Sequence, residues 1–396
     1  MRSGWQTKLL GEVLERTETA NPCENPNAEF NYIDVSSVSN SSFTIEATQR
    51  LKGKDAPSRA RKLVRTNDVI FATIRPTLQR IAIVPANLDK QICSTGYFVL
   101  RPKQSVDYKF VFYYLLTQDF TEQMESLQKG ASYPAVTDGD VRGQTISSPP
   151  LPEQHRIVAI LDEAFEGIAT AKANAEKNLH NARALFEGHL QSVFSQSGEG
   201  WVDKSLNEIC TKITDGEHLR PTVLPTGIPF LSAKDVLDHD VVFSDSLFVS
   251  EEDATKFRRR CNPEKGDILI VSRGATVGRT CVIKSSKIFC LLGSVILLKI
   301  DESYLAEFIS YALKSPSLKA QLVGASEAAA QQAIYLRDIK PVQISCPPIA
   351  LQESIVSILD SLLAETQRLA SIYERKLASL DELKKSLLHQ AFSGQL

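Results

Sequence analysis

Cysteine and histidine are too few and too scattered in this chain to build a metal centre. The 396 residues hold seven cysteines (Cys23, Cys93, Cys210, Cys261, Cys281, Cys290 and Cys346) with no CxxC pair, and six histidines with no ligand spacing beside them. Reduced, buried thiols are therefore expected, and no metal ligand is assigned. Long apolar runs are missing too. The longest nearly uncharged one, Ile288 to Leu298, is too short to cross a bilayer. The opening MRSGWQTKLL lacks the apolar core of a secretory signal, so a cytoplasmic protein without a membrane partner is expected. Nucleotide-binding glycine patterns, G-x-G-x-x-G or a P-loop, are absent. So are an Asn-Pro-Pro-Tyr or Asp-Pro-Pro-Tyr segment to hold a flipped base and a Pro-Asp with Glu-x-Lys nuclease pattern. Asp215, Glu217 and His218 stand close together, but one histidine among acids in a glycine-containing turn reads as loop chemistry. No catalytic residue is assigned.

Proline is also missing between Pro152 and Pro221, and what fills that gap occurs twice. Shifted by 198 positions, Pro149 and Pro150 fall on Pro347 and Pro348. Ile157, Val158, Ile160, Leu161 and Asp162 fall on Ile355, Val356, Ile358, Leu359 and Asp360. Val158, Leu161, Phe165, Ile168, Lys172, Ala175, Leu179, Ala182, Phe186, His189 and Val193 alternate steps of three and four, the seam of a coiled coil. Val356, Leu359, Leu363, Thr366, Ala370, Tyr373, Leu377, Leu380, Lys384, Leu387 and Ala391 repeat it. Some 40 residues of helix span roughly 60 Å, the length of a strut. Pro152 and Glu153 suit the first turn of the first copy. The second has Ala350 and Leu351 there, a poorer start, although Gln154 and Gln352 match.

The duplication includes what precedes each helix. Gly4-Trp5 is followed by Lys8, Leu10, Glu12 and Val13, and Gly200-Trp201 by Lys204, Leu206, Glu208 and Ile209 at the same spacing. Strands are expected at Val69 to Ile74, Arg80 to Val84 and Gly96 to Leu100, with counterparts at Asp267 to Val271, Thr280 to Ile283 and Val295 to Ile300. Asn67-Asp68 and Gly266-Asp267 mark equivalent turns into a strand. Short helices follow at Tyr108 to Leu116 and Tyr304 to Leu313. The fold class is thus α+β, mainly antiparallel: two β-rich mixed α/β domains, 1–146 and 199–344, separated by helical spacers 147–198 and 345–396 in a pseudo-two-fold tandem repeat. Helices joined this way pair antiparallel if they pair at all. Residues 21–60 align with nothing in 215–245, so the two globes are expected to do one job on different targets.

The net charge of −2 hides two equal basic stretches. Arg50, Lys52, Lys54, Arg59, Arg61, Lys62, Arg65, Arg75 and Arg80 face only Asp55 and Asp68, for a net +7. Lys256, Arg258, Arg259, Arg260, Lys265, Arg273, Arg279, Lys284 and Lys287 face only Glu264 and Asp267, again +7. Clustered positive charge at corresponding points of a repeat is the electrostatic footprint of phosphate binding. Arg273 and Arg279 flank Gly274 and Gly278, where backbone can approach a phosphate closely.

PPLPEQHRIVAILD with its echo PPIALQESIVSILD, the closing LKKSLLHQAFSGQL, ITDGEHLRP at 213–221, GDILIVSRGATVGR at 266–279, and IRPTLQRIAIV with STGYFVLRP together resemble the specificity (S) subunits of type I restriction-modification systems, over the whole chain. The resemblance implies two target recognition domains, each reading one half of a bipartite asymmetric sequence in double-stranded DNA. It implies long helices that act as ruler and dock two modification (methyltransferase) subunits, through which restriction subunits join. S-adenosylmethionine, ATP and Mg would sit on those partners, serving adenine methylation and ATP-dependent cleavage, with no cofactor in this chain. The residues expected at DNA are the nine of the first stretch, with Arg220, Arg258, Arg259, Arg260, Arg273 and Arg279 from the second half. Leu161, Phe165, Leu179, Phe186, Leu359, Leu363, Leu377 and Leu387 are expected on the helix seam and partner surface. A two-module coiled-coil scaffold without DNA preference is the alternative, and gel shifts separate the two.

Overall fold

Runs of Val, Ile and Phe too apolar to alternate make the central strands of both globes. Val69–Ala72 is buried at every residue, as is Ile268–Val271, the pattern of strands covered on both faces. The computed structural model describes residues 4–196, 198–219, 221–324 and 333–396. Its contacts divide the chain into a first unit, residues 1–176 with 375–396, and a second unit, residues 177–374.

In the first unit Val69–Ala72 lies between Ile81–Ile83 and Tyr97–Leu100, antiparallel to both. A second sheet runs Gln49–Lys52, Glu29–Ile33, Ile92–Ser94, Ala60–Leu63, and its central pair is parallel, with Tyr32 opposite Ile92. Gln6–Leu9 pairs with Thr145–Ser148 and closes the globe. The expected strands are present, trimmed by a residue or two, and the helix Tyr108–Leu115 follows them.

The second unit repeats this plan. Ile268–Val271 lies between Thr280–Val282 and Val295–Ile300, the latter also flanked by Cys210–Asp215. Leu247–Val249, Ile228–Leu231 and Cys290–Leu291 form the second sheet, again with one parallel pair, Phe230 opposite Cys290. Tyr32 and Phe230, like Ile92 and Cys290, are 198 residues apart. Glu29–Ile33 and Ile228–Leu231 are therefore the same strand, a correspondence that sequence matching in 21–60 and 215–245 misses. It hides because the two strands share apolar character and partner but no residue pattern. Val202–Ser205 pairs with Gln343–Cys346, and Ala306–Lys314 is the equivalent short helix.

The long helices span Leu151–Phe194 and Ile349–Ser393, 44 and 45 residues, each about 66 Å at 1.5 Å per residue. Every seam position from Val158 to Val193 and from Val356 to Ala391 is buried or half-buried. Within the first unit the segments 151–176 and 375–396 run in opposite directions. Lys172 meets Asp381 at 2.6 Å, and Arg156 reaches the backbone oxygen of Leu396 at 2.8 Å. Within the second, Arg183 meets Glu374 at 2.9 Å and Leu190 shares a cluster with Leu359, the same antiparallel sense.

Both helices start alike despite their different first turns. Pro150 and Pro348 each accept two backbone N–H groups through their carbonyl oxygens. The amide of Gln154 donates to Pro149 O and that of Gln352 to Pro347 O, both at 2.8 Å, while their carbonyls accept the N–H of Asp107 and Leu305 at 2.9 Å. The matched glutamines do the joining, so losing Pro and Glu in the second copy leaves the start intact. Tyr113 donates to Asp162 at 2.6 Å, and Tyr311 donates to Asp360. Burial raises both phenols above the ordinary range, with the carboxylate partners adding to it.

Candidate nucleic-acid interface

Each strand that opens the central sheet is anchored by a buried carboxylate. Asn67 (φ 68) and Gly266 (φ 91) take the left-handed turn that Asn and Gly tolerate best. Asp68 and Asp267 then accept backbone N–H groups, from Arg65 and Glu264, at 2.8 Å. A cation answers each: Arg101 chelates Asp68 and bonds Glu18, and Lys299 bonds Asp267 and Glu264. Burial pushes the Asp267 carboxyl up. These cations were missed as functional candidates because they lie outside the dense basic runs. Their signal is an Arg or Lys at matching positions, 198 apart, at the end of the third strand of each copy.

The same framework separates the predicted DNA-binding residues into two classes. Arg80 and Arg279 are half-buried. Arg80 donates through Nη1 to Val35 O (3.1 Å) and Val38 O (2.9 Å), and Arg279 through Nη1 to Val236 O (3.2 Å). Val38 and Val236 are themselves 198 apart, so both arginines tie down one equivalent loop. Lys62 is held by Asp138 and the carbonyl of Tyr97, both at 2.7 Å. Arg258 donates to Phe289 O, Arg61 to Ala60 O, and Arg260 to Asp215. Arg50 and Arg65 are exposed but paired with Glu29 and Glu18.

Lys52, Lys54, Arg59, Arg75, Arg259 and Arg273 are exposed, and among the described residues no ion pair or side-chain hydrogen bond engages them. Arg220 lies outside the described residues. The first basic stretch is also not one patch: Arg50 and Lys52 sit on one edge strand of the four-stranded sheet, Arg61 and Lys62 on the other. Three strand spacings, roughly 14 Å, separate those edges.

Arg75 and Arg273 stand at the same turn of the two globes but one position out of register, since Thr73 matches Ser272 and Ile74 matches Arg273. The residue two before Arg75, Thr73, donates its N–H to Gly96 O and accepts that of Val136. Ser272, just before Arg273, bonds Ser294 O and the N–H of Ile334 in the same way. Arg75 lies over the ring of Tyr133 at 5.5 Å, and Arg273 over Tyr335 at 5.8 Å.

Asp215, Glu217 and His218 form a local knot. His218 Nε2 meets Asp215 Oδ2 at 2.7 Å, and the Glu217 carboxylate accepts the N–H of His218 and of Leu219 at 2.8 and 2.9 Å. Asp215 also takes Arg260. Among the described residues no cluster of His, Cys, Asp and Glu could hold a metal ion. The seam residues Leu161 and Leu359 are fully buried, while Phe165, Leu179, Phe186, Leu363, Leu377 and Leu387 are half-buried.

Known proteins share this architecture. A chain from the solved structure described as "Structural basis underlying complex assembly and conformational transition of the type I R-M system" is similar over all of this chain and 99% of its own length, at 32% identity and a TM-score of 0.88. The HsdS subunit from Thermoanaerobacter tengcongensis is 32% identical over all of this chain and 98% of its own, with a TM-score of 0.69. The EcoKI specificity subunit of Escherichia coli (strain K12) is 25% identical across 77% of this chain and 69% of that protein. The type I restriction modification DNA specificity domain matches residues 2–179 and again 198–374. With two such domains covering most of its length, the chain belongs to the specificity subunits of type I restriction-modification systems.

Proposed function

We propose that each globe reads one half of a bipartite asymmetric site in double-stranded DNA, and that the chain itself performs no chemistry. One observation carries this reading: the two units share their central strands and internal anchors at an offset of 198 or 199 residues, yet across 21–60 and 215–245 they keep only a common strand and a common anchored loop on unlike sequences. A common frame with unlike loops is what two readers of different sequences require. Exposed Lys and Arg supply phosphate contacts and salt-dependent affinity, and loop side chains meet base edges in the major groove.

The long helices fix the spacing between half-sites and offer their outer faces to two modification subunits. Those subunits carry S-adenosylmethionine and methylate adenine; restriction subunits, with ATP and Mg, join through them. Among the described residues no helix is long and apolar enough to cross a membrane, and all seven cysteines are free thiols; both accord with work in the cytoplasm.

Methylome sequencing of DNA from cells expressing the chain with its partner subunits tests this. A two-part asymmetric motif is expected, and exchanging residues 1–146 for those of another family member changes one half only. Methylation without sequence preference, or a change in both halves, overturns the reading.

A further inference from the structure

Of all the basic side chains, two stand apart. Arg75 and Arg273 are exposed and lie at the same turn of the two globes, one residue out of register. Among the described residues neither guanidinium has a hydrogen bond or ion pair, whereas Arg80 and Arg279, a few residues on, spend theirs on loop carbonyls. Each free guanidinium lies over a tyrosine, and the tyrosines come from unrelated positions. Tyr133 is two residues before Ala135, which bridges to Ile74, and Tyr335 is two residues after Ala333, which bridges to Arg273. Opposite sides of one framework thus supply the same partner. Tyr133 is 73% exposed and Tyr335 39%, so burial of apolar surface does not explain either ring.

The backbone adds a second observation. Arg75 takes a left-handed conformation (φ 50, ψ 58), held by its N–H on Pro134 O at 2.7 Å. A non-glycine residue there is strained, and such strain clusters at functional sites. Arg273 is followed by Gly274 at φ 101, so both arginines stand at a left-handed kink. The second tyrosine carries another guanidinium, Arg337 at 5.1 Å, but that one is shared with Asp338.

We infer that Arg75 and Arg273 are the specificity-determining guanidiniums of the first and second globe, each presenting its donor edge to a purine, guanine by chemistry, in its half-site. This rests on the DNA-reading role proposed above. Stacking on a ring leaves all five N–H donors at the rim of the plane and restricts the rotation that would be lost on binding. A planar fork with two parallel donors matches guanine O6 and N7 in the major groove. Lysine has the charge without the fork.

The test uses the full chain assembled with its modification subunits, and takes the wild-type motif from methylome sequencing as reference. Arg75→Lys is expected to relax one base pair of one half-site by roughly 5- to 150-fold in discrimination, and Arg273→Lys one base pair of the other half. The salt dependence of binding is kept because the charge is kept. Tyr133→Leu weakens the same position as Arg75→Lys, and Tyr133→Phe restores it; melting curves matched to wild type show that the fold is retained. Two results overturn the inference while leaving the chain a two-part reader: both lysine variants keep the full motif, or Arg75→Ala weakens all sequences equally with a smaller salt slope, the mark of a phosphate contact. A wild-type complex without any sequence preference defeats the reading beneath it as well.

Discussion

Arg101 closes on Asp68 through two parallel hydrogen bonds, Nε to Oδ1 and Nη2 to Oδ2, each 2.8 Å, with Asp68 only 1% exposed. The second globe keeps the carboxylate and changes the cation: Lys299 bonds Asp267 through one oxygen at 2.8 Å and shares itself with Glu264. Removing one partner of a buried pair strands the other charge and costs about 3–5 kcal/mol. Arg101→Met is therefore expected to lower stability by that amount in denaturant unfolding. Lys299→Met should cost less, because Asp267 is more exposed than Asp68 and Lys299 engages it through one oxygen where Arg101 engages two. Equal losses would contradict this ranking.

Arg80 tests the division between structural and DNA-facing arginines. Its bonds go to the carbonyls of Val35 and Val38, so Arg80→Ala should destabilise the first unit by about 1–3 kcal/mol through an unsatisfied, half-buried loop. The slope of log affinity against log salt should stay as in wild type, because a lost phosphate contact would reduce it by about one. A reduced slope at unchanged stability would return Arg80 to the DNA.

Leu161 and Leu359 hold equivalent places on the two long helices and are both fully buried. Replacing either by alanine is expected to cost about 2–5 kcal/mol, transfer plus cavity. Hydrogen exchange should locate the loosening from Leu161→Ala in 1–176 with 375–396, and that from Leu359→Ala in 177–374. Faster exchange spread evenly over the chain would show that the two units do not unfold separately.

The thiols give a pH prediction. Burial pushes Cys93, Cys210, Cys261, Cys281 and Cys346 up to about 12 and Cys290 to about 11, while Cys23 is exposed. A thiol reagent at pH 8 should find one fast site and six slow ones, since the thiolate is the nucleophile. The sign for stability follows: a group raised on folding favours the folded state below its unfolded value and loses that contribution as pH rises through the folded one. Stability should therefore fall from about pH 9 towards 12. A flat alkaline profile would argue against these buried thiols.

Periodicity made the long helices and the central strands legible: three-four spacing and unbroken apolar runs survive in any alignment. The sheet that holds Glu29–Ile33 was not legible, because its parallel partner lies some sixty residues on and its counterpart Ile228–Leu231 keeps only apolarity. The basic runs are plain in the sequence, but the division of the first between the two edges of one sheet is not. Charge in a sequence does not tell whether a guanidinium faces water or a carbonyl; Arg75 and Arg80 are five residues apart and do opposite things. Tyr133 and Tyr335 gave no signal at all, since their spacing to Ala135 and Ala333 differs in sign.

The core around Phe110 and Tyr114 is sealed by Leu388, Ala391 and Phe392, with the Phe110 and Phe392 rings 4.8 Å apart. On the ribosome those three residues emerge long after the globe they complete, whereas residues 177–374 are contiguous and can close earlier. Assembly thus runs against the order of synthesis: the unit begun first finishes second, and until residue 392 is free its apolar floor stands open to chaperones and to neighbouring nascent chains.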